Sequence, residues 1–424
     1  MTKIDEFRNE LLPILDGISK TMLPQGDYFQ ATFKIDSKLL CFPNEIAPAY
    51  FRAIRILREK ASECTQPISD KELEHRLVEF LRELKYAPDQ EKVKREIDKH
   101  IVALFDSLKK TKTEKHLFII PVMNLRLEED IKIGDSSLVN WNAKVLTSLN
   151  LTYSLNFNFD GKILPDIADE LPRDNETSTF VVVTVEAPDA SRALELAMQK
   201  SETCLNVLRL YYFNPSVVLR DEYKKHVSRR LVHINLDKKT YGEETTAINS
   251  RNSWPTKIDK KVIDDLKTTD LPIINRLLCR RTDELTLLQE DLLTAIFWFG
   301  NAVKEDQRNM KFVKAMMALE MLLVPDGGTG KRNTIAKRFA SIMYAADTDS
   351  QKRKVFLAMR DMYNLRNSII HSGEDYVYEG DMRQLLSRTR ATIQIILHYA
   401  EKFTTLQELI EREYPVNETL YDKL

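Results

Sequence analysis

The chain has 424 residues, 43% of them hydrophobic and 30% charged, with 11 Gly and 15 Pro. This composition supplies a sizeable core, leans toward helix, and excludes a disordered or collagen-like chain. The 63 basic and 64 acidic residues leave a formal net charge of −1, so no global basic field attracts nucleic acid and any such site is a local patch.

The length suggests two or three domains at roughly 150 residues each. Cys41, Cys64, Cys204 and Cys279 lie far apart with no CxxC pair, which fits a reducing cytosol better than a zinc or disulfide framework. No apolar run follows Met1 to Glu6, so no signal peptide is expected. Apolar stretches such as Ala295 to Phe299 fall far short of the ~18 residues of a membrane span. A soluble cytoplasmic protein is the expectation.

Residues 1–111 read as mostly helical. Phe7, Leu11, Leu12 and Leu15 recur at helical spacing, Tyr28 to Ile35 alternates like a strand, and three amphipathic stretches follow: Glu45 to Glu63, Asp70 to Tyr86 and Asp89 to Lys110. Ser69-Asp70 is a helix start signal. Residues 112–268 read as a mixed α/β domain with a sensing or substrate-selecting role. His116 to Val122 is a short apolar run, Leu151 to Phe159 alternates, and Phe180 to Val185 is continuous and β-branched, as in a strand covered on both faces. Pro188-Asp189 ends it, and a helix carrying Ala193, Ala197, Cys204, Leu205 and Leu208 follows. Asp237 to Lys267 is polar and reads as a loop or linker.

Residues 269–424 read as a helical bundle: Asp283 to Glu305, Asn309 to Val324, Thr334 to Ala346, Gln351 to His371, and Gly380 to Glu413 with a break. Gly373 is expected to end the fourth helix in a left-handed conformation. The fold class expected is α+β, predominantly α, with the mixed region preceding the bundle.

The fourth bundle helix is the most informative stretch. Arg366 has Met362, Tyr363, Ile369 and Ile370 three or four residues away, so it lies in or beside an apolar stripe, where a charge needs a partner. Tyr363, Asn367 and His371 are spaced by four along an adjacent line. Arg366 and His371 are about 140° apart around the helix and can border one groove because His371 sits at its end. His371 is of the residue type suited to general acid or base work, since free histidine has a pKa of ~6.5. Arg366 is a permanent cation able to bind phosphate bidentately. Glu320, four residues after Met316, borders an apolar stripe and is a candidate partner for Arg366; a structural carboxylate fits equally. The pair 366 and 371 also fits a plain ion pair and a histidine favoured at a helix C-terminus by the dipole.

Arg366-Asn367-Ser368-Ile369-Ile370-His371 resembles the R-N-x-x-x-H motif of HEPN-domain ribonucleases. Ala318-Leu319-Glu320-Met321-Leu322-Leu323 followed by Met362 to Gly373 resembles the Apea-like HEPN family, which pairs an "ALExLL" helix with an "LYxLRNxIxHG" segment. The strong likeness covers about residues 280–405. Phe118 to Leu125 also resembles an upstream segment of such proteins. Ser372 stands between His371 and Gly373 where many relatives read HG directly, which shifts the cap by one residue.

The resemblance implies a metal-independent RNA endonuclease without cofactor, in which Arg366 and His371 are catalytic. Asn367, Glu320 and Tyr363 are the candidate supporting residues: Asn367 to orient the imidazole or contact phosphate, or to be structural; Glu320 to hold Arg366; and Tyr363, whose type is more often core packing than chemistry. It implies attack of the ribose 2′-OH, leaving 2′,3′-cyclic phosphate and 5′-OH ends. It further implies a homodimer or higher oligomer lining one cleft with two Arg-His sets, acting on tRNA or mRNA as a bacterial anti-phage or toxin effector under a phage-derived activator or regulatory protein. A non-catalytic HEPN module, binding nucleotide or RNA or serving dimerisation, is the alternative.

Other features weigh less. Arg95 to His100 repeats the spacing without the Asn or a glycine stop. Gly327 to Arg332 is a poor phosphate loop, with Pro325 and Arg332 at positions that motif fills otherwise, and because it follows a helix rather than a strand it reads as an inter-helix loop. Lys224, Lys225, Arg229 and Arg230, and likewise Arg280 and Arg281, are basic clusters that fit either an RNA backbone or a solvated surface. The histidines show no metal-ligand spacing.

Overall fold

The computed structural model describes residues 2–17, 28–35, 38–43, 46–62, 68–122, 125–140, 179–211, 226–238, 240–249, 256–324, 330–373 and 376–421. They are predominantly helical with a smaller sheet region. The chain forms two compact units: residues 1–116, 185–197 and 235–238, and residues 117–184, 198–234 and 239–424. No helix among the described residues is long and apolar enough to cross a membrane.

In the first unit, α1 (Lys3–Gly17), α2 (Ala47–Ala61), α3 (Asp70–Tyr86) and α4 (Gln90–Lys109) pack together, and β1 (Tyr28–Ile35) pairs antiparallel with β2 (Lys38–Pro43). The helices form where the apolar period predicts. Phe7, Leu11 and Ile14 of α1, and Leu73, Leu77 and Leu81 of α3, are fully buried and share one core with Leu57, Ile101 and Leu108. Caps fix the starts: the Ser69 hydroxyl accepts the Glu72 N–H at 3.1 Å, and the Asp89 carboxylate accepts that of Lys92 at 2.9 Å. The predicted Asp189 breakpoint has a second use: its carboxylate accepts from the Ser69 hydroxyl at 2.7 Å while accepting the Arg192 N–H at 2.8 Å.

The sheet lies mostly in the second unit. β3 (Glu114–Val122), β5 (Ile131–Ile133), β6 (Ser136–Asn140), β7 (Thr179–Ala187), β8 (His226–Asn235) and β9 (Thr240–Asn249) run in the order β5-β6-β7-β3-β8-β9. β4 (Leu125–Leu127) pairs separately and in parallel with β10 (Thr256–Ile258). Thr179 to Val183 are buried in unbroken sequence, as a strand covered on both faces requires. Helix α5 (Ala190–Tyr211) follows β7.

Next come α6 (Lys260–Thr268) and α7 (Leu271–Cys279), then the bundle: α8 (Leu287–Lys304), α9 (Arg308–Leu323), α10 (Lys331–Met343), α11 (Asp349–Ser372), α12 (Glu379–Leu397) and α13 (Leu406–Glu413). The long last stretch does break, between His398 and Thr405. Helix α9 packs against α8, α10, α11 and α12 and is buried on most of its surface, with Phe312, Met316, Leu319 and Leu322 fully enclosed. Gly300 of α8 admits the Asn206 side chain of α5, whose Oδ1 lies 2.1 Å from where a Cβ would stand.

One expectation is overturned. The stretch 237–267 is not a loop or linker where it is described: it carries β9, β10 and most of α6, while residues 239 and 250–255 lie outside the described residues. The segment is polar, but Thr240, Tyr241, Thr245, Thr246 and Ile248 are of the β-branched and aromatic types that favour extended backbone whatever their hydrophobicity. The alternating stretch 151–159 lies outside the described residues.

Candidate active site

Helix α11 begins at a capping box between Thr348 and Gln351 and ends at Gly373, whose φ of 69° is the left-handed conformation expected of it. The Gly373 N–H closes on the Ile369 carbonyl at 3.1 Å. Met362, Tyr363 and Ile369 are buried, so the helix turns its apolar stripe inward and carries Arg366 partly in with it, to 18% side-chain exposure.

The partner that Arg366 needs is Glu320, near the C-terminal end of α9. Arg366 Nη2 donates to Glu320 Oε2 at 3.1 Å. Glu320 is only 6% exposed, a burial an ionised carboxylate tolerates because it is charge-paired. Its second oxygen is taken as well: Lys331 Nζ, in the first turn of α10, donates to Oε1 at 2.8 Å. One carboxylate from α9 therefore ties α10 and α11 together. This bond raises the Lys331 pKa above its ordinary value.

Arg366 has two further neighbours. Its Nη1 donates to Asn367 Oδ1 at 3.0 Å, and its guanidinium lies 5.6 Å from the centre of the Tyr363 ring. Arg366 Nε is buried without a hydrogen-bond partner among the described residues. Burial, reinforced by the Glu320 charge, raises the Tyr363 pKa above the usual phenol value. One turn before Asn367 and Ser368, Asn364 accepts from Arg332 Nη1 at 3.1 Å, a second tie between α10 and α11.

His371 stands apart from this cluster. It occupies the exposed last turn of α11 and forms no side-chain hydrogen bond with any described residue. Glu320, Asn367 and Tyr363 thus each meet Arg366, while His371 faces solvent five residues along the same helix.

The other basic candidates do not join them. Arg280 donates to Gln289 at 3.0 Å and Arg281 pairs with Asp283 at 2.8 Å, both at the surface before α8. Arg229 and Arg230 lie in β8, and Lys224 and Lys225 lie outside the described residues. Sequence reasoning missed Lys331 and Arg332, which sit next to a glycine-rich stretch and read as part of an inter-helix loop.

Chemically, the cluster offers a fixed guanidinium, a second cation and a carboxylate that orients both, with an exposed imidazole on the same helix. No family model matches the chain, and no curated protein or solved structure matches it either.

Proposed function

We propose that the protein is a metal-independent endoribonuclease of the HEPN type, with Arg366 and His371 as its catalytic pair. The observation that carries this reading is the ion pair between Glu320 and Arg366. It joins the two segments on which the resemblance rests and sets the guanidinium on the helix that ends in an exposed imidazole.

The chemistry needs no metal. The ribose 2′-oxygen attacks the adjacent phosphorus and loses its proton to a base. The P–O5′ bond breaks and the departing oxygen takes up a proton, leaving a 2′,3′-cyclic phosphate and a 5′-OH. Imidazole serves both transfers, accepting in its neutral form and donating in its charged form. Two copies of the chain related by a two-fold axis supply two such imidazoles to one cleft. Arg366 neutralises charge on the non-bridging oxygens, Asn367 and Tyr363 hold its plane, and Glu320 fixes its position. The biological role that follows is a cytoplasmic defence or toxin-type effector acting on tRNA or mRNA under an activator or regulatory partner.

Purified protein is expected to cut RNA in the presence of EDTA. Arg366→Ala and His371→Ala are expected to abolish cutting while keeping the far-UV spectrum of the wild type. RNA left intact by the wild type, or cut equally by the variants, overturns the reading.

One observation favours a second reading: Arg366 is already engaged by Glu320 and Asn367, as in a purely structural ion pair. A non-catalytic module that binds RNA or nucleotide, or pairs with another chain, then follows. It would bind labelled RNA and leave it whole after prolonged incubation.

A further inference from the structure

Glu320 carries one negative charge and holds two cations. The closer match in burial is Arg366, at 18% side-chain exposure against 7% for the carboxylate; Lys331 is the outer member, at 31%. Arg366 and Glu320 balance each other, so the surplus positive charge of the triad sits on Lys331, on the side open to water. The neighbouring residue Arg332 adds a further cation, and its guanidinium donates to the neutral side chain of Asn364, one turn before Asn367. Lys331, Arg332 and Arg366 are thus three cations against a single carboxylate, along the line where α10 meets α11.

We propose that Lys331 is a substrate-binding residue of this site, contacting a backbone phosphate of single-stranded RNA. The inference rests on the nuclease reading and adds to it a residue outside the motif. Lysine suits this role, because a compact ammonium on a flexible stem swings from a carboxylate to a phosphate oxygen without the planar alignment arginine requires. When it does so, Glu320 stays paired with Arg366, so no buried charge is stranded. Lys331 thereby acts in binding, and Glu320 acts as the positioning residue that keeps both cations aimed along one seam.

The test uses the full-length protein and a fluorescein-labelled 12-mer of 2′-O-methyl RNA, which lacks the attacking hydroxyl and is not cut. Affinity is measured against salt concentration for the wild type, Lys331→Met, Lys331→Gln and Lys331→Arg. Loss of one phosphate contact to a single strand lowers the slope of log affinity against log salt by about 0.7. Lys331→Met and Lys331→Gln are expected to show that drop, with binding weaker by on the order of tenfold. Lys331→Arg is expected to retain the slope. On cleavable RNA the neutral variants are expected to raise KM more than they lower kcat.

A neutral variant that folds and keeps the wild-type slope and KM overturns the role of Lys331, even where its Tm falls. If Arg366→Ala abolishes cutting in the same series, the nuclease reading stands and only this inference is lost. If the wild type neither cuts RNA nor binds the 12-mer, the nuclease reading itself has failed. Should the neutral variants not fold, footprinting of wild-type lysines with an amine-reactive reagent decides: protection of Lys331 by the bound 12-mer supports the inference, and equal modification of Lys331 with and without the 12-mer overturns it.

Discussion

The chain carries the same arginine-to-histidine spacing twice, in α4 and in α11, and the two copies end in different surroundings. In α4, Arg95 is exposed and its Nε donates to the Glu91 carbonyl of its own helix at 3.2 Å. His100 lies mid-helix, with Lys109 the last residue of that helix. In α11, Arg366 is drawn in against a carboxylate from another helix, and His371 stands in the last turn before a left-handed glycine. Spacing is therefore shared by a solvated helix face and by a convergent cluster. What separates them is a neighbouring helix that presents a buried carboxylate, and a helix end that frees the imidazole.

The largest expected difference is in catalysis. Arg366→Ala and His371→Ala are expected to lower the rate of RNA cleavage by at least about a hundredfold, whereas Arg95→Ala and His100→Ala leave it within about twofold. Equal loss in both helices would erase the distinction between them. Stability separates the copies next. Glu320→Gln strips the charge from the buried partner of two cations and is expected to cost about 2 kcal/mol in urea unfolding, a figure set below that of a fully enclosed pair because Lys331 is partly exposed. Glu91→Gln on α4 is expected to stay within about 0.5 kcal/mol.

The helix ends give a smaller contrast. Gly373→Ala forces a Cβ into positive φ and is expected to cost about 1 kcal/mol. Lys110→Ala, at a C-cap with φ of −87°, is expected to cost almost nothing. The smallest effect is one of pH. Lys331 is raised by its bond to Glu320 and Tyr363 by burial. Both bind their protons more tightly when folded, so the stability they add is complete below the unfolded values near 10 and is lost as pH climbs through the raised ones. The urea midpoint is expected to fall less steeply above about pH 10 in Lys331→Met than in the wild type.

Much of the helical part was legible because its signals are local. The stripe Leu73, Leu77, Leu81 marks α3 residue for residue, Ser69 marks its start, and Gly373 marks the end of α11. The expected pairing of Arg366 with Glu320 followed from charge beside apolar spacing, since such a residue must find a partner. Features that depend on how helices cross were not legible. Nothing in the run from Gly327 to Arg332 says that Lys331 meets a carboxylate eleven residues earlier, because that contact is set by the return angle of α10 on α9. Arg209 escaped for another reason: it is 1% exposed and its acceptors, Asn206 at 2.7 Å and Glu202, lie earlier on its own helix α5, so the pairing is local but its burial is not marked by the sequence. Polar strands escaped because hydrophobic alternation is silent where Thr supplies the β preference, as in β9. Basic clusters such as Arg280-Arg281 display charge in the sequence but not the Gln289 and Asp283 that occupy it.

The sharing of one carboxylate between two helices also constrains how these positions drift. Replacing Glu320 first leaves two like charges facing each other at a closely packed seam, whereas replacing Lys331 first leaves a balanced pair behind. Substitutions here are thus order-dependent: a lineage that abandons the cluster is expected to lose position 331 before 320, and 320 together with 366.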